Sequence, residues 1–197
     1  MQFCNIPEFF FRSPIRFQPL SGRKNHAMMK KINGKKGISL PLPKAPSESE
    51  TTLSQVMFPE HANVFMTVHG GELLKMMDTA AGVCASRHNR TSVNTKAIGN
   101  IVFHAPVPVN CLVLCKAHLT YVSEKVMEVY TELSAESVKW ETPQVCVTGY
   151  FYYVGVDLEA KKALPAIPLK ITTPEEAAAF EAGKERLQTN LRLAGKP

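Results

Sequence analysis

Asp78 lies inside the most apolar stretch of a 197-residue chain. A carboxylate among apolar side chains is costly unless it has a partner or a task. Fifteen residues before it stands a carboxamide, Asn63, and between the two lies His69-Gly70-Gly71. A Gly-Gly at a helix start lets a ligand approach the backbone and leaves N–H groups at the positive end of the helix dipole. Such groups can hold a carbonyl oxygen as it gains negative charge. A carboxylate two turns along can activate water or attack a carbonyl carbon. Taken alone, Asp78 is equally compatible with a structural aspartate that bonds nearby backbone or faces solvent.

The commoner catalytic signatures are missing. The chain has no G-x-S-x-G elbow, no G-x-x-x-x-G-K phosphate loop and no G-x-G-x-x-G. Its six histidines show no metal-ligand spacing, so no metal site is expected. Five cysteines lack a C-x-x-C pair. Cys111 and Cys115 share a strand at roughly 13 Å, too far for a disulfide. Reduced thiols and a cytoplasmic setting are the expectation.

Periodicity supplies the elements that must position Asp78. Thr52 to Phe58 reads as a strand ended by Pro59, and a loop runs from Glu60 to His69. Gly70-Gly71 opens a helix whose apolar stripe is Leu73, Leu74, Met77, Ala80, Ala81 and Cys84, ending near His88-Asn89. Met76 and Val83 add apolar character on other faces, so burial on more than one side is expected. On the helical wheel Asp78 falls about 40° beyond Leu74, at the rim of the stripe. Strands are predicted over Thr91–His104, Cys111–Tyr121, Lys125–Ala135 and Gln144–Val156, joined by short turns as an antiparallel meander. A last helix begins at Thr173-Pro174 with Glu176 completing a capping box, and Phe180, Leu187 and Leu191 give it a sparse docking face. A sheet wrapped around one apolar helix satisfies both, which makes the class α+β and the arrangement the hotdog fold.

The charge of +6 resides in the N-terminal quarter. Residues 1–50 carry nine basic and three acidic side chains, and residues 51–197 carry 14 of each. The folded part is neutral, so no nucleic-acid partner is expected. No apolar run approaches 18 residues, so no membrane-spanning helix is expected either. Residues 1–50 read as a disordered basic arm, a targeting segment, or the product of an upstream start codon with Met28 or Met29 as initiator. The domain is placed at 51–170, with the helix and tail at 171–197.

The run from His61 to Ala81 resembles the acyl-coenzyme A thioesterases of the hotdog superfamily. Their pattern is approximately N-x-x-G-x-x-[FH]-G-G-x-L-L-x-x-[MI]-D-x-A-A. Asn63, His69, Gly70, Gly71, Leu73, Leu74, Met77, Asp78, Ala80 and Ala81 fit it at the family's spacing. Met66 stands at the first glycine, Asn110-Cys111 at a Gly-Asp turn, and the Ser123–Val126 turn lacks the family's Gly and Ser. The resemblance implies hydrolysis of acyl-CoA thioesters without a cofactor. Asn63 and the Gly71 N–H would orient the carbonyl, and Asp78 would serve as general base or nucleophile. His69 and Gly70 would line the substrate site. Arg87, Arg90, Lys96 and Lys116 are candidates for the coenzyme A phosphates, although each also fits an ordinary solvated surface. The family's sites take Asn from one subunit and Asp from another. That implies a homodimer as the minimal active unit and a homohexamer, a trimer of dimers, as the assembly. A hotdog dehydratase or isomerase, or a non-catalytic acyl-CoA-binding module, are the competing readings.

Overall fold

The computed structural model describes residues 42–137, 140 and 142–193. The expectations for residues 1–41 lie outside the described residues. Strand β1 (Thr51–Val56) leads to a 3-10 turn at Pro59–His61 and then to helix α1 (Gly70–Asn89). Strands β2 (Ser92–Phe103), β3 (Leu112–Val122), β4 (Val126–Glu136) and β5 (Gln144–Asp157) follow. A short β6 (Lys162–Leu164) and helix α2 (Pro174–Leu193) complete the chain.

The five long strands form one antiparallel sheet in the order β1-β3-β4-β5-β2, and β6 pairs with the end of β5. Only β3, β4 and β5 are the predicted meander. β2 lies beside β5 at the far edge, not beside β3. Short connections suggested neighbours, but the chain leaves β2 through Pro106 and Pro108, which cannot donate to a ladder. That segment instead joins the loop before α1: Val68 N–H donates to the Val107 carbonyl at 2.8 Å, and Thr67 bridges to Pro108.

All five long strands pack on α1. The alternation that predicted the strands supplies the reason. Val113, Cys115, Ala117 and Leu119 of β3, Met127, Val129 and Leu133 of β4, and Phe151 and Tyr153 of β5 are buried. They meet Leu73, Met76, Met77, Ala80, Ala81 and Cys84 of α1 in one core. Met76 is buried as expected, whereas Val83 is 40% exposed.

The outer face carries α2. Glu128 of β4 points away from α1, yet it is wholly buried. Its carboxylate accepts from Thr120 Oγ1 at 2.6 Å and Tyr152 OH at 2.7 Å, and from Arg186 of α2 at 2.8 and 3.2 Å. Full satisfaction is what makes a buried carboxylate tolerable. Gly183 permits the approach: a Cβ there would stand 2.5 Å from Tyr121 Cβ and 2.7 Å from Glu128 Oε1. Phe180 packs on the Tyr121 ring, with centroids 4.7 Å apart. The predicted capping box is formed by Thr173 and Glu176.

The C-terminal end of α1 is tied down by two segments, around Lys44 and around Ile167, which pair with each other. Lys44 Nζ caps the carbonyls of Arg87 and His88 at 2.8 and 3.1 Å, which places a cation where the helix dipole favours one. His88 is wholly buried. Its Nδ1 faces Ser49 Oγ at 3.3 Å and its Nε2 donates to the Ile167 carbonyl at 2.8 Å. Asn89 accepts from Ile167 N–H at 2.8 Å. Hydrogen-bonded structure thus extends N-terminal to Thr51.

Burial, reinforced by the Lys44 charge, pushes the His88 imidazole below its usual pKa against the Ile167 bond. His118 shifts the same way through burial. A base with a depressed folded pKa gives stability that is complete above its unfolded value, about 6.5, and lost as pH falls. The melting temperature should therefore drop between pH 7.5 and pH 5. His88→Gln keeps an amide donor and acceptor but has no proton to take up. By differential scanning fluorimetry its drop should be smaller than that of the wild type. An equal drop would show that His88 does not carry the effect.

Candidate active site

Asn63 belongs to the loop that precedes α1. Its Oδ1 accepts from Phe65 N–H at 2.8 Å and Thr67 N–H at 3.3 Å, and its Nδ2 donates to Thr67 Oγ1 at 2.9 Å. These bonds close a tight turn with Met66 at φ 60°, in the left-handed region. Met66 thus adopts the conformation for which the family's pattern has glycine, at the steric cost a Cβ carries there. Asn110 does the same at φ 64°, and Asn tolerates that region better than most residues. Val64, Phe65 and Met66 project from the turn at 90%, 82% and 64% exposure.

His69 is the N-cap of α1. Its ring Nδ1 accepts the Gly71 N–H at 2.9 Å. A side chain on residue 71 would put a Cβ 3.0 Å from that nitrogen, so glycine keeps the cap in place. The Gly71 N–H proposed for a substrate carbonyl is therefore already bonded, and the His69 ring must turn aside before a ligand takes it. Asn63 and Gly70 line two adjoining clefts. One, of about 700 Å³, also includes Phe65 and His69. The other, of about 360 Å³, includes Leu73, Phe103 and His104. A separate cleft between β3 and the start of α2, also about 360 Å³, contains none of the predicted site residues.

Asp78 is partly buried, eight residues into α1, or about 12 Å from the helix start. Its Oδ1 accepts from Tyr153 OH at 2.6 Å and from Thr95 Oγ1 at 3.0 Å. The Tyr153 hydroxyl also lies 2.7 Å from the Asp78 backbone carbonyl. Among the described residues, no hydrogen bond reaches Oδ2. Thr95 and Tyr153 are register partners on β2 and β5, so the two donors sit directly opposite each other. Sequence reasoning missed both. Their positions, 17 and 75 residues beyond Asp78, leave no local signal.

Within one chain, the structure gathers Asn63, His69, Gly70 and Gly71 at the helix start and leaves Asp78 apart from them. The side chain of Asn63 bonds only Phe65 and Thr67 among the described residues. Of the four basic candidates, Arg87 and Arg90 stand at the C-terminal end of α1, and Lys96 and Lys116 lie on separate strands. Arg87 donates to the Glu50 carbonyl at 2.7 Å and to Thr51 Oγ1 at 3.2 Å. Arg90 is the left-handed C-cap of α1 and is exposed. Lys96 is exposed on β2. Lys116 is exposed on β3 between buried Cys115 and Ala117, on the sheet face opposite α1, in register with Glu132. Among the described residues, no three His, Cys, Asp or Glu side chains are grouped as metal ligands. No helix there is long and apolar enough to cross a membrane.

Residues 65–139 match the family model of the thioesterase superfamily. The chain is 31% identical over 158 residues to the cytosolic acyl coenzyme A thioester hydrolase of Rattus norvegicus, an alignment covering 79% of this chain and 41% of that protein. It thus spans about two fifths of the length of that relative. An uncharacterized acyl-CoA thioester hydrolase of Zymomonas mobilis is 33% identical over 116 residues, which cover 58% of this chain and 76% of the relative. Among solved structures, an apo-hexameric acyl-CoA thioesterase superposes with a TM-score of 0.74 at 22% identity, covering 78% of this chain and 98% of that one. The matched superfamily model and the identity shared across three quarters of the Zymomonas protein show that the chain belongs to the acyl-CoA thioester hydrolases of the thioesterase superfamily.

Proposed function

We propose that this chain hydrolyses acyl-CoA thioesters to free fatty acid and coenzyme A, with Asp78 as the reactive carboxylate. The observation that carries this reading is the state of that carboxylate: Oδ1 is held by two hydroxyl donors, and Oδ2 is left without a partner among the described residues. A carboxylate anchored by one oxygen presents the other at a defined position. Acting as general base, Oδ2 takes a proton from water as the oxygen attacks the thioester carbon. The tetrahedral intermediate then expels the coenzyme A thiolate, which recovers that proton. Acting as nucleophile, the same oxygen displaces the thiolate to form a mixed anhydride that water opens. Asn63 and the α1 N-terminus stabilise the carbonyl oxygen in either route, once His69 releases the Gly71 N–H. No metal or organic cofactor enters either route, and the cytoplasm is the setting.

Asn63 and Asp78 do not meet within one chain, and this favours a site shared between two copies. β2 is an edge strand of 12 residues carrying Thr95 of the Asp78 clamp. Ile98, Val102 and Phe103 along it are 44%, 39% and 52% exposed. An open edge with apolar side chains is a template for pairing. A second copy paired there would lie beside Asp78 and could bring its own Asn63 loop. The hexameric form of the structural neighbour supports a trimer of such dimers.

Purified protein incubated with acyl-CoAs from acetyl to palmitoyl should release free thiol, before and after dialysis against chelator. Asp78→Asn, nearly the same shape, should stay folded and lower turnover by about a hundredfold or more, the scale for a lost general base. No release across the whole panel would contradict the enzyme reading. Normal kinetics in Asp78→Asn would make Asp78 structural.

A further inference from the structure

Tyr153 is 2% exposed, and its ring packs against Gly82, one turn beyond Asp78. A phenylalanine would fill the same space. What a phenylalanine could not do is donate to Asp78. The hydroxyl lies 2.6 Å from Oδ1 and 2.7 Å from the carbonyl of the same residue, so one phenolic proton is shared between the side chain and backbone of a single aspartate. Burial, then the bond to Asp78 and its charge, push the phenol well above its ordinary pKa. Tyr153 therefore stays protonated, a donor and not a base. The other group on Oδ1, Thr95, comes from an exposed position on the edge strand.

We propose that Tyr153 is a positioning residue for the hydrolysis: it holds Asp78 through Oδ1, with Thr95 as second donor, so that Oδ2 stays aimed at the reacting water or carbonyl. The proposal rests on Asp78 being the reactive carboxylate. Without the phenol, only the edge-strand Thr95 restrains the carboxylate, which then rotates about its terminal torsion and spends less time in the productive pose. Misplacement by about 1 Å can cost a hundredfold in rate. Substrate binding, which involves other groups, is unaffected.

The test is steady-state thiol release by Tyr153→Phe in the full chain, alongside its melting temperature. The expected result is a fall in kcat of about tenfold to a hundredfold with KM within about twofold. A second arm repeats the substitution in the Asp78→Asn background. There it should add little, because a residue acting through Asp78 has nothing left to position. Wild-type kcat in Tyr153→Phe overturns the proposal and leaves the hydrolase reading standing. An equal loss in both backgrounds also overturns it, since Tyr153 would then act elsewhere. A wild-type chain without turnover overturns both. If Tyr153→Phe fails to fold, 3,5-difluorotyrosine at position 153 keeps the ring packing and makes the phenol a more acidic donor to Asp78. A shifted pH profile of kcat supports the clamp, and an unchanged profile overturns it.

Discussion

A half-buried carboxylate on a helix that a sheet wraps takes its protein hydrogen bonds from that sheet, and the arrangement of this site depends on that interaction. The interior backbone N–H groups of α1 are consumed by the helix itself. Asp78 therefore depends on hydroxyls from the strands that cover it. Thr95 and Tyr153 provide them only because β2 pairs with β5 in a register that sets the two opposite each other. A slip of one residue would turn either side chain to the other face of the sheet. The apolar packing of Phe151, Met127 and Met77 is thus also what holds the register that satisfies the carboxylate.

The two ends of α1 are treated differently. Lys44, His88 and Asn89 lock the C-terminal end to two mutually paired segments, around Lys44 and around Ile167, through buried or capped contacts. The N-terminal end is presented. It carries a loop with a left-handed Met66, three exposed apolar residues and a cap supplied by a histidine ring. Rigid support behind Asp78 and a more open approach at the helix start suit a site that must admit a ligand and hold one carboxylate still.

Much of this was legible in the sequence because the signals were local. Gly70-Gly71 and the stripe from Leu73 to Cys84 marked α1, and alternation marked the strands. Thr173, Pro174 and Glu176 marked α2. Strand order was not legible. Pairing of β2 with β5 spans some fifty residues, and nothing in either strand names its neighbour. The same distance hid Thr95 and Tyr153, which look like ordinary strand residues until the register places them. Glu128 lies in a predicted strand, and nothing near it in sequence marks it for burial. It is buried because Arg186, 58 residues later, arrives on α2 to cover it. The basic candidates were equally open in sequence: only the structure sets Arg87 against the Glu50 carbonyl and Lys116 on the outer face.

The central claim is that one working site needs the helix-start loop of one chain and the Asp78 clamp of another. Subunit complementation tests it most directly. Chains carrying Asn63→Ala and chains carrying Asp78→Ala are co-expressed, mixed dimers are verified by mass, and thiol release from an acyl-CoA is compared with each variant alone. Random pairing makes about half of the dimers mixed, each with one intact and one doubly altered site, so about a quarter of wild-type activity should return. Verified mixed dimers with no activity above the single variants would contradict a site shared across the interface.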